Sequence, residues 1–274
     1  RSNACPAAAN GRAMIAWNLL PWIWLGSAIT MVVVWMFARR IDNMGYVDVA
    51  WAALMGAMAI MVAACSGGAI LPRTLLGAMA GTWALRLAVH LYNRVHGHPE
   101  DGRYRYLREQ IHDSSYMLFG LFQVQALLVT LFALPLLAAA SNPLHVITPW
   151  TIAAVAIWLL AVVGEAIADR QLAAWVSNPA NDGKTCRSGL WGWSRHPNYF
   201  FEAVHWIAYA LLAIGAPEAW LAFSGPVLMF AFLYRVTGIP FTEAQALRSR
   251  GDDYRAYQRD VSAFFPWPPR SRSN

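Results

Sequence analysis

Apolar positions in this chain fall in long unbroken blocks, and polar positions gather between them. That pattern differs from the alternation of a half-buried strand and from the narrow apolar stripe of a surface helix. Blocks of about 18 or more apolar residues predict helices that span a bilayer. Seven such blocks are read at roughly 14–38, 47–65, 70–91, 116–140, 149–168, 199–216 and 218–238. Only Ala216-Pro217-Glu218 separates the last two, which predicts a tight hairpin. The expectation is an all-α polytopic membrane bundle of about seven transmembrane helices. It forms a single membrane domain over 1–274, with short cytoplasmic helices and a cytoplasmic tail over 239–274.

Composition agrees: 58% of residues are hydrophobic and 13% charged, against about 25% charged in soluble domains. Basic residues set the orientation. If the segment after the first block is cytoplasmic, that side holds Arg39 and Arg40, then Arg94, Arg103, Arg105 and Arg108. It also holds Arg170, Lys184, Arg187 and Arg195, and the arginines from Arg235 to Arg272. The other side holds Arg1, Arg12 and Arg73. Positive charge marks the cytoplasm, so the N-terminus is expected outside and the C-terminus inside. The net charge of +6 follows from this bias and from anionic lipid, with no nucleic-acid partner required. Cys5, Cys65 and Cys186 have neither paired nor metal-ligand spacing, so neither a disulfide nor a metal is expected.

Ionisable residues inside the blocks are few: Asp48, Arg86, His90, Glu165, Glu202, His205 and Arg235. Such groups are functional candidates by default. Most lie near the expected cytoplasmic ends, where they could line one water-accessible cavity. The structural alternative is pairwise neutralisation, for example Asp48 with Arg86.

The richest segment is Gly189-Leu-Trp-Gly-Trp-Ser-Arg195-His196-Pro197-Asn198-Tyr199-Phe-Phe-Glu202. Pro197 suits the first turn of a helix, and Asn198 and Glu202, four apart, share a face able to hold an amide or an amine. The bland reading is an interfacial anchor. The 92–108 loop interleaves Tyr92, Tyr104 and Tyr106 with Arg94, Arg103, Arg105 and Arg108, a pattern that clamps phosphates and stacks on a heterocycle. A solvated basic face is its bland counterpart. Thr242-Glu243-Ala-Gln245 predicts a capping box opening a cytoplasmic helix, and Gly251 a stop for it. Tyr254, Tyr257 and Phe264-Phe-Pro-Trp267 look like a return to the interface. No Gly-x-Gly-x-x-Gly motif follows a strand, so a dinucleotide would have to be held by the bundle and its loops.

Several of these pieces match a known family in order. They are Val47-Asp48-Val-Ala-Trp51, Arg86 to His90, Pro99-Glu-Asp-Gly-Arg103-Tyr, Gly189 to Glu202, Gly238-Ile-Pro240 with Glu243, and Tyr254 to Pro266. On them the chain resembles the steroid 5-alpha-reductase family, in its bacterial branch of domain-of-unknown-function 1295 proteins. The resemblance implies a multi-pass protein of the bacterial inner membrane. It also implies NADPH as cofactor, entering from the cytoplasm, and reduction of a conjugated carbon–carbon double bond in a lipophilic enone that arrives from the bilayer. By motif, Asn198 and Glu202 hold the nicotinamide carboxamide, Tyr199 walls its site and Asp169 meets the adenosine end. Arg94, Arg103, Arg105, Arg187, Arg195 and Arg235 are the phosphate candidates, with His196, Glu243 and Tyr254 beside them. Asp48 takes the place of the family's acid, and its proton-donating partner is left between His90 and Tyr92. One departure is Phe201 in place of a glycine, which is expected to narrow a close approach to the cofactor.

Two other readings stay open. Arg195-His196-Pro197-x-Tyr199 with Glu243 and Tyr254 also resembles the S-adenosylmethionine-dependent membrane methyltransferases of isoprenylcysteine and phospholipid amines. A non-catalytic transporter or lipid-binding protein is the third, although neither broken helices nor paired repeats point to it.

Overall fold

A computed structural model describes residues 14–270, which leaves Cys5, Arg1, Arg12 and Arg272 outside the described residues. Helices occupy every apolar block, and no strand occurs among the described residues. They are α1 Leu20–Ile41, α2 Tyr46–Cys65, α3 Ile70–Val95, α4 Gly102–Gln110, α5 Ser115–Ala140, α6 Pro149–Val176, α7 Pro197–Leu212, α8 Ala219–Ala222, α9 Ser224–Ala231 and α10 Ile239–Asp260. A π-helical turn over Phe232–Val236 makes a nearly continuous run of α8, α9 and α10.

Five helical stretches are long and apolar enough to cross a membrane: Trp17–Ile41, Tyr46–Cys65, Ser115–Ala140, Pro149–Val176 and the run Ala219–Asp260. The two that fall outside this set are informative. α3 carries Arg73, Arg86, His90 and Arg94 along its length. α7 has 16 residues, about 24 Å of helix against a hydrocarbon core of about 30 Å. α7 also carries Glu202 and His205 buried. α3 packs mainly on α2, and α7 on α6.

Local sequence explains the helix starts. Thr148 and Thr151 cap α6 reciprocally, Asp101 accepts the Arg103 N–H at the start of α4 at 2.9 Å, and Pro197 opens α7 as expected. The start of α10 differs from expectation. It begins at Ile239-Pro240, and Thr242 lies inside the first turn with its hydroxyl on the Gly238 carbonyl at 3.0 Å, so Thr242 is no cap. Proline fits that first turn because it lacks an N–H that would go unpaired there. Gly251 does interrupt α10, as expected. It breaks the helix with φ 51° and ψ −120°, and helical residues resume to Asp260.

The core is built on aromatic rings. Trp51 meets Trp83 and Phe132 edge-on at 6.5 and 6.2 Å between centroids, and Trp83 meets Trp206 at 6.2 Å. Phe201 does not narrow the Glu202 face. Its ring occupies the notch over Gly164 on α6, where a Cβ would lie 2.4 Å from Phe201 Cε1.

Candidate functional site

Three helices turn polar faces towards one another. On α3 the face is Trp83, Arg86 and His90, on α6 Glu165 and Asp169, and on α7 Asn198, Glu202 and His205. The spacing of three or four residues puts each set on one side of its helix. Arg86 pairs with Glu165 and, at 3.2 Å, with Asp169. Asn198 Nδ2 donates to Asp169 Oδ1 at 3.3 Å, and His90 Nε2 stands 3.9 Å from the same carboxylate. Arg86 is therefore neutralised by α6 rather than by Asp48. Asp169 lies beside Asn198, so the adenosine-end and carboxamide-end candidates meet at a single point.

Glu202 is the buried end of this cluster. Trp83 Nε1 donates to its Oε2 at 2.9 Å, while Oε1 has no hydrogen-bond partner among the described residues. His205 Nδ1 contacts the Glu202 carbonyl oxygen at 2.6 Å. A carbonyl only accepts, so Nδ1 carries the proton. The Trp83 ring stacks on His205 at 4.5 Å, so one tryptophan holds both side chains. A buried carboxylate oxygen without a donor is costly; His205 Nδ1 stands 3.9 Å from it.

A second cluster sits where α2 begins. Tyr104 Oη donates to Asp48 Oδ1 at 2.7 Å, and Arg103 Nη2 donates to Asp48 Oδ2 at 3.4 Å. Arg103 also contacts Asp101 at 3.3 Å, and Arg94 reaches Asp101 at 2.5 Å. Burial and the neighbouring Asp48 charge push the Tyr104 hydroxyl well above its ordinary value, so it stays protonated. Burial alone would raise Asp101, but Arg103 and Arg94 outweigh it and hold that carboxyl low. Neither residue proposed as the partner of Asp48 touches it: His90 faces Asp169, and Tyr92 is largely exposed and stacks on His96 at 4.8 Å. Tyr104, which the sequence pattern offers only as a stacking ring, closes the Pro99-to-Tyr104 motif. Its neighbour Arg103 was chosen for charge alone.

A third group fastens the 189–199 segment to α10 and the tail. Arg195 donates to Glu243 Oε1 at 2.6 Å and to the carbonyls of Gln258 and Val261 at 3.0 and 2.7 Å. His196 Nε2 also meets Glu243, at 3.2 Å, and Gln258 donates to Glu243 Oε2 at 2.8 Å. Tyr199 Oη lies 3.1 Å from Thr242 Oγ1, and buried Tyr254 packs edge-on to Tyr257. Arg187 contacts Asp253 at 3.3 Å and Asp260 at 3.5 Å. Among the phosphate candidates, Arg94, Arg103, Arg187 and Arg195 are thus engaged by carboxylates. Arg105 is exposed, and Arg235, also exposed, lies over the Tyr234 ring at 5.5 Å.

Fold and site together define a multi-pass helical membrane protein whose polar residues converge between α3, α6 and α7. The family model described as a protein of unknown function, DUF1295, matches residues 34–261, and the chain belongs to that family. It is also similar to the uncharacterized protein C594.04c of Schizosaccharomyces pombe, 28% identical over 215 residues. That alignment covers 67% of this chain and 60% of the yeast protein, so the chain spans about three fifths of its relative's length. No solved structure matches the chain.

Proposed function

We propose that this protein is a membrane-embedded, NADPH-dependent reductase of a conjugated carbon–carbon double bond in a lipophilic enone, a bacterial inner-membrane relative of the steroid 5-alpha-reductases. The observation that carries the reading is the Tyr104–Asp48 hydrogen bond at 2.7 Å, set across Trp51 and Trp83 from a carboxylate whose Oε1 lacks a partner. In this reading all seven apolar stretches cross the bilayer, the C-terminus is cytoplasmic, and α3 and α7 are tolerated inside because their charges face one another.

The fit to NADPH is good at one end. Glu202 Oε1 is a buried acceptor suited to a carboxamide N–H. Asn198 would join it by releasing its 3.3 Å contact to Asp169. Arg105 and Arg235 are the phosphate candidates that no carboxylate engages among the described residues. When bound, NADPH supplies a hydride. Reduction at the β-carbon would place negative charge on the substrate's carbonyl oxygen. Tyr104, held protonated, would donate to that oxygen by turning its single O–H away from Asp48 Oδ1, while Arg103 stays on Asp48. A donor aimed at developing charge is worth a few kcal/mol of barrier. Solvent returns the proton, so the net change is addition of one hydride and one proton.

Calorimetry and NADPH fluorescence on the detergent-purified protein test the cofactor, and NADPH turnover with a panel of steroid and isoprenoid enones tests the reaction. Heat with S-adenosylmethionine and none with NADPH would move the chain to the methyltransferase reading. Binding of neither, in a protein that melts cooperatively, would leave the transporter or lipid-binding reading.

A further inference from the structure

The tail after α10 folds back on the end of that helix. Trp267 N donates to the Trp193 carbonyl and Arg270 N to the Asp260 carbonyl, each at 2.9 Å. Between tail and helix lies a cavity of about 430 Å³, lined by Arg195, Arg259, Asp260, Ser262, Trp267 and Arg270 among others. Its charges are not balanced. Arg195 is neutralised by Glu243 and Asp260 by Arg187. Arg259 and Arg270 are exposed and make no side-chain hydrogen bond or ion pair among the described residues. The cavity is therefore a cationic pocket with two guanidinium groups in reserve, the chemistry that suits a phosphate.

The rim decides which phosphate. Trp267 is 70% exposed, Phe265 60% and Trp193 49%. Phe265 packs on Phe200 of α7 and Phe230 of α9, with centroids 6.2 and 6.1 Å away. Both partners belong to apolar stretches, so the rim stands where hydrocarbon gives way to head groups. Exposed tryptophan and phenylalanine at that level are interfacial anchors. We infer that this pocket binds the phosphate of an anionic phospholipid, with Arg259 and Arg270 on the head group and Phe265 and Trp267 along the first carbons of its chains. The inference does not depend on the proposed reductase activity.

Native mass spectrometry of the detergent-solubilised full chain, titrated with phosphatidylglycerol or phosphatidylcholine, tests it. The wild type should retain phosphatidylglycerol in preference. The Arg259→Gln/Arg270→Gln variant should lose that preference about thirtyfold, in line with the worth of two basic residues at a membrane surface. Trp267→Ala should weaken both lipids. Arg270→Gln alone, which keeps the backbone bond to Asp260, is the variant to use if the double change prevents folding. Equal lipid retention by wild type and variants overturns the inference. So does one-for-one displacement of phosphatidylglycerol by NADPH or by inorganic phosphate, which would make this a site for soluble phosphates.

Discussion

Tyr104 and Asp48 share a hydrogen bond of 2.7 Å across 56 residues of chain. That bond ties the nine-residue polar helix α4 to the first turn of α2 and sets a hydroxyl donor at the start of the second helix. Two charges reinforce the contact, because Arg103 bridges Asp48 and Asp101.

If this pair polarises a substrate carbonyl, Tyr104→Phe and Asp48→Asn should each retain NADPH binding. Each should lower turnover by roughly 10²–10⁴, the usual worth of a positioned acid. Steady-state NADPH oxidation beside a binding titration separates the two effects. Full turnover in a folded Tyr104→Phe protein would remove the pair from the chemistry.

Glu202→Gln addresses the other side. Gln replaces the partnerless Oε1 with an amide that can either accept or donate, so NADPH affinity should fall by about tenfold, near the value of a hydrogen bond to a charged group. Thermal unfolding of the cofactor-free protein should change little. A variant with wild-type affinity and a lowered melting point would assign Glu202 to structure.

Arg86→Leu should be the most destabilising of these changes. It strands Glu165 and Asp169 in the bundle, and removing one partner of a buried ion pair costs about 3–5 kcal/mol. Unfolding in a fixed detergent measures this. Arg86→Leu/Glu165→Leu should recover part of the loss, and no recovery would mean that packing, not charge, is what Arg86 supplies.

Acid should loosen the segment that carries Tyr104. Asp113, hydrogen-bonded by Arg108 and Arg39, is held low, as is Asp101 under Arg103 and Arg94. A carboxyl depressed in the folded state stabilises above its unfolded value, about 4, and loses that contribution as pH falls below it. Protection of α4 against hydrogen exchange should therefore fall as pH drops below about 4. Asp101→Asn should start from faster exchange and show a flatter profile.

The helices were legible because apolar length survives translation into structure almost unchanged. Asn198 and Glu202 were legible for a similar reason, since a spacing of four fixes a shared face whatever the helix packs against. Tyr104 was not, because its meeting with Asp48 depends on how α4 docks over α2 and α10. That docking is so close that a Cβ on Gly102 would lie 2.6 Å from the Gln245 side chain. The arginines show the other limit. A run of positive residues reads as an open anion site until the carboxylates that meet it, Glu243, Asp253 and Asp260, are seen to come from a helix over 40 residues away.

Phe201 and Gly164 act as a peg and a socket between α7 and α6. Each residue of an α-helix turns the chain by about 100°, so a peg seated at one position sets the rotational phase of the whole helix. Seating Phe201 against α6 swings Glu202 round to the Trp83 side, one residue being enough to change direction. The bulk at position 201 therefore works as an index mark that aims α7. Filling the socket, as Gly164→Ala would, should turn the polar face of α7 away from α3 before it disturbs any residue of that face directly.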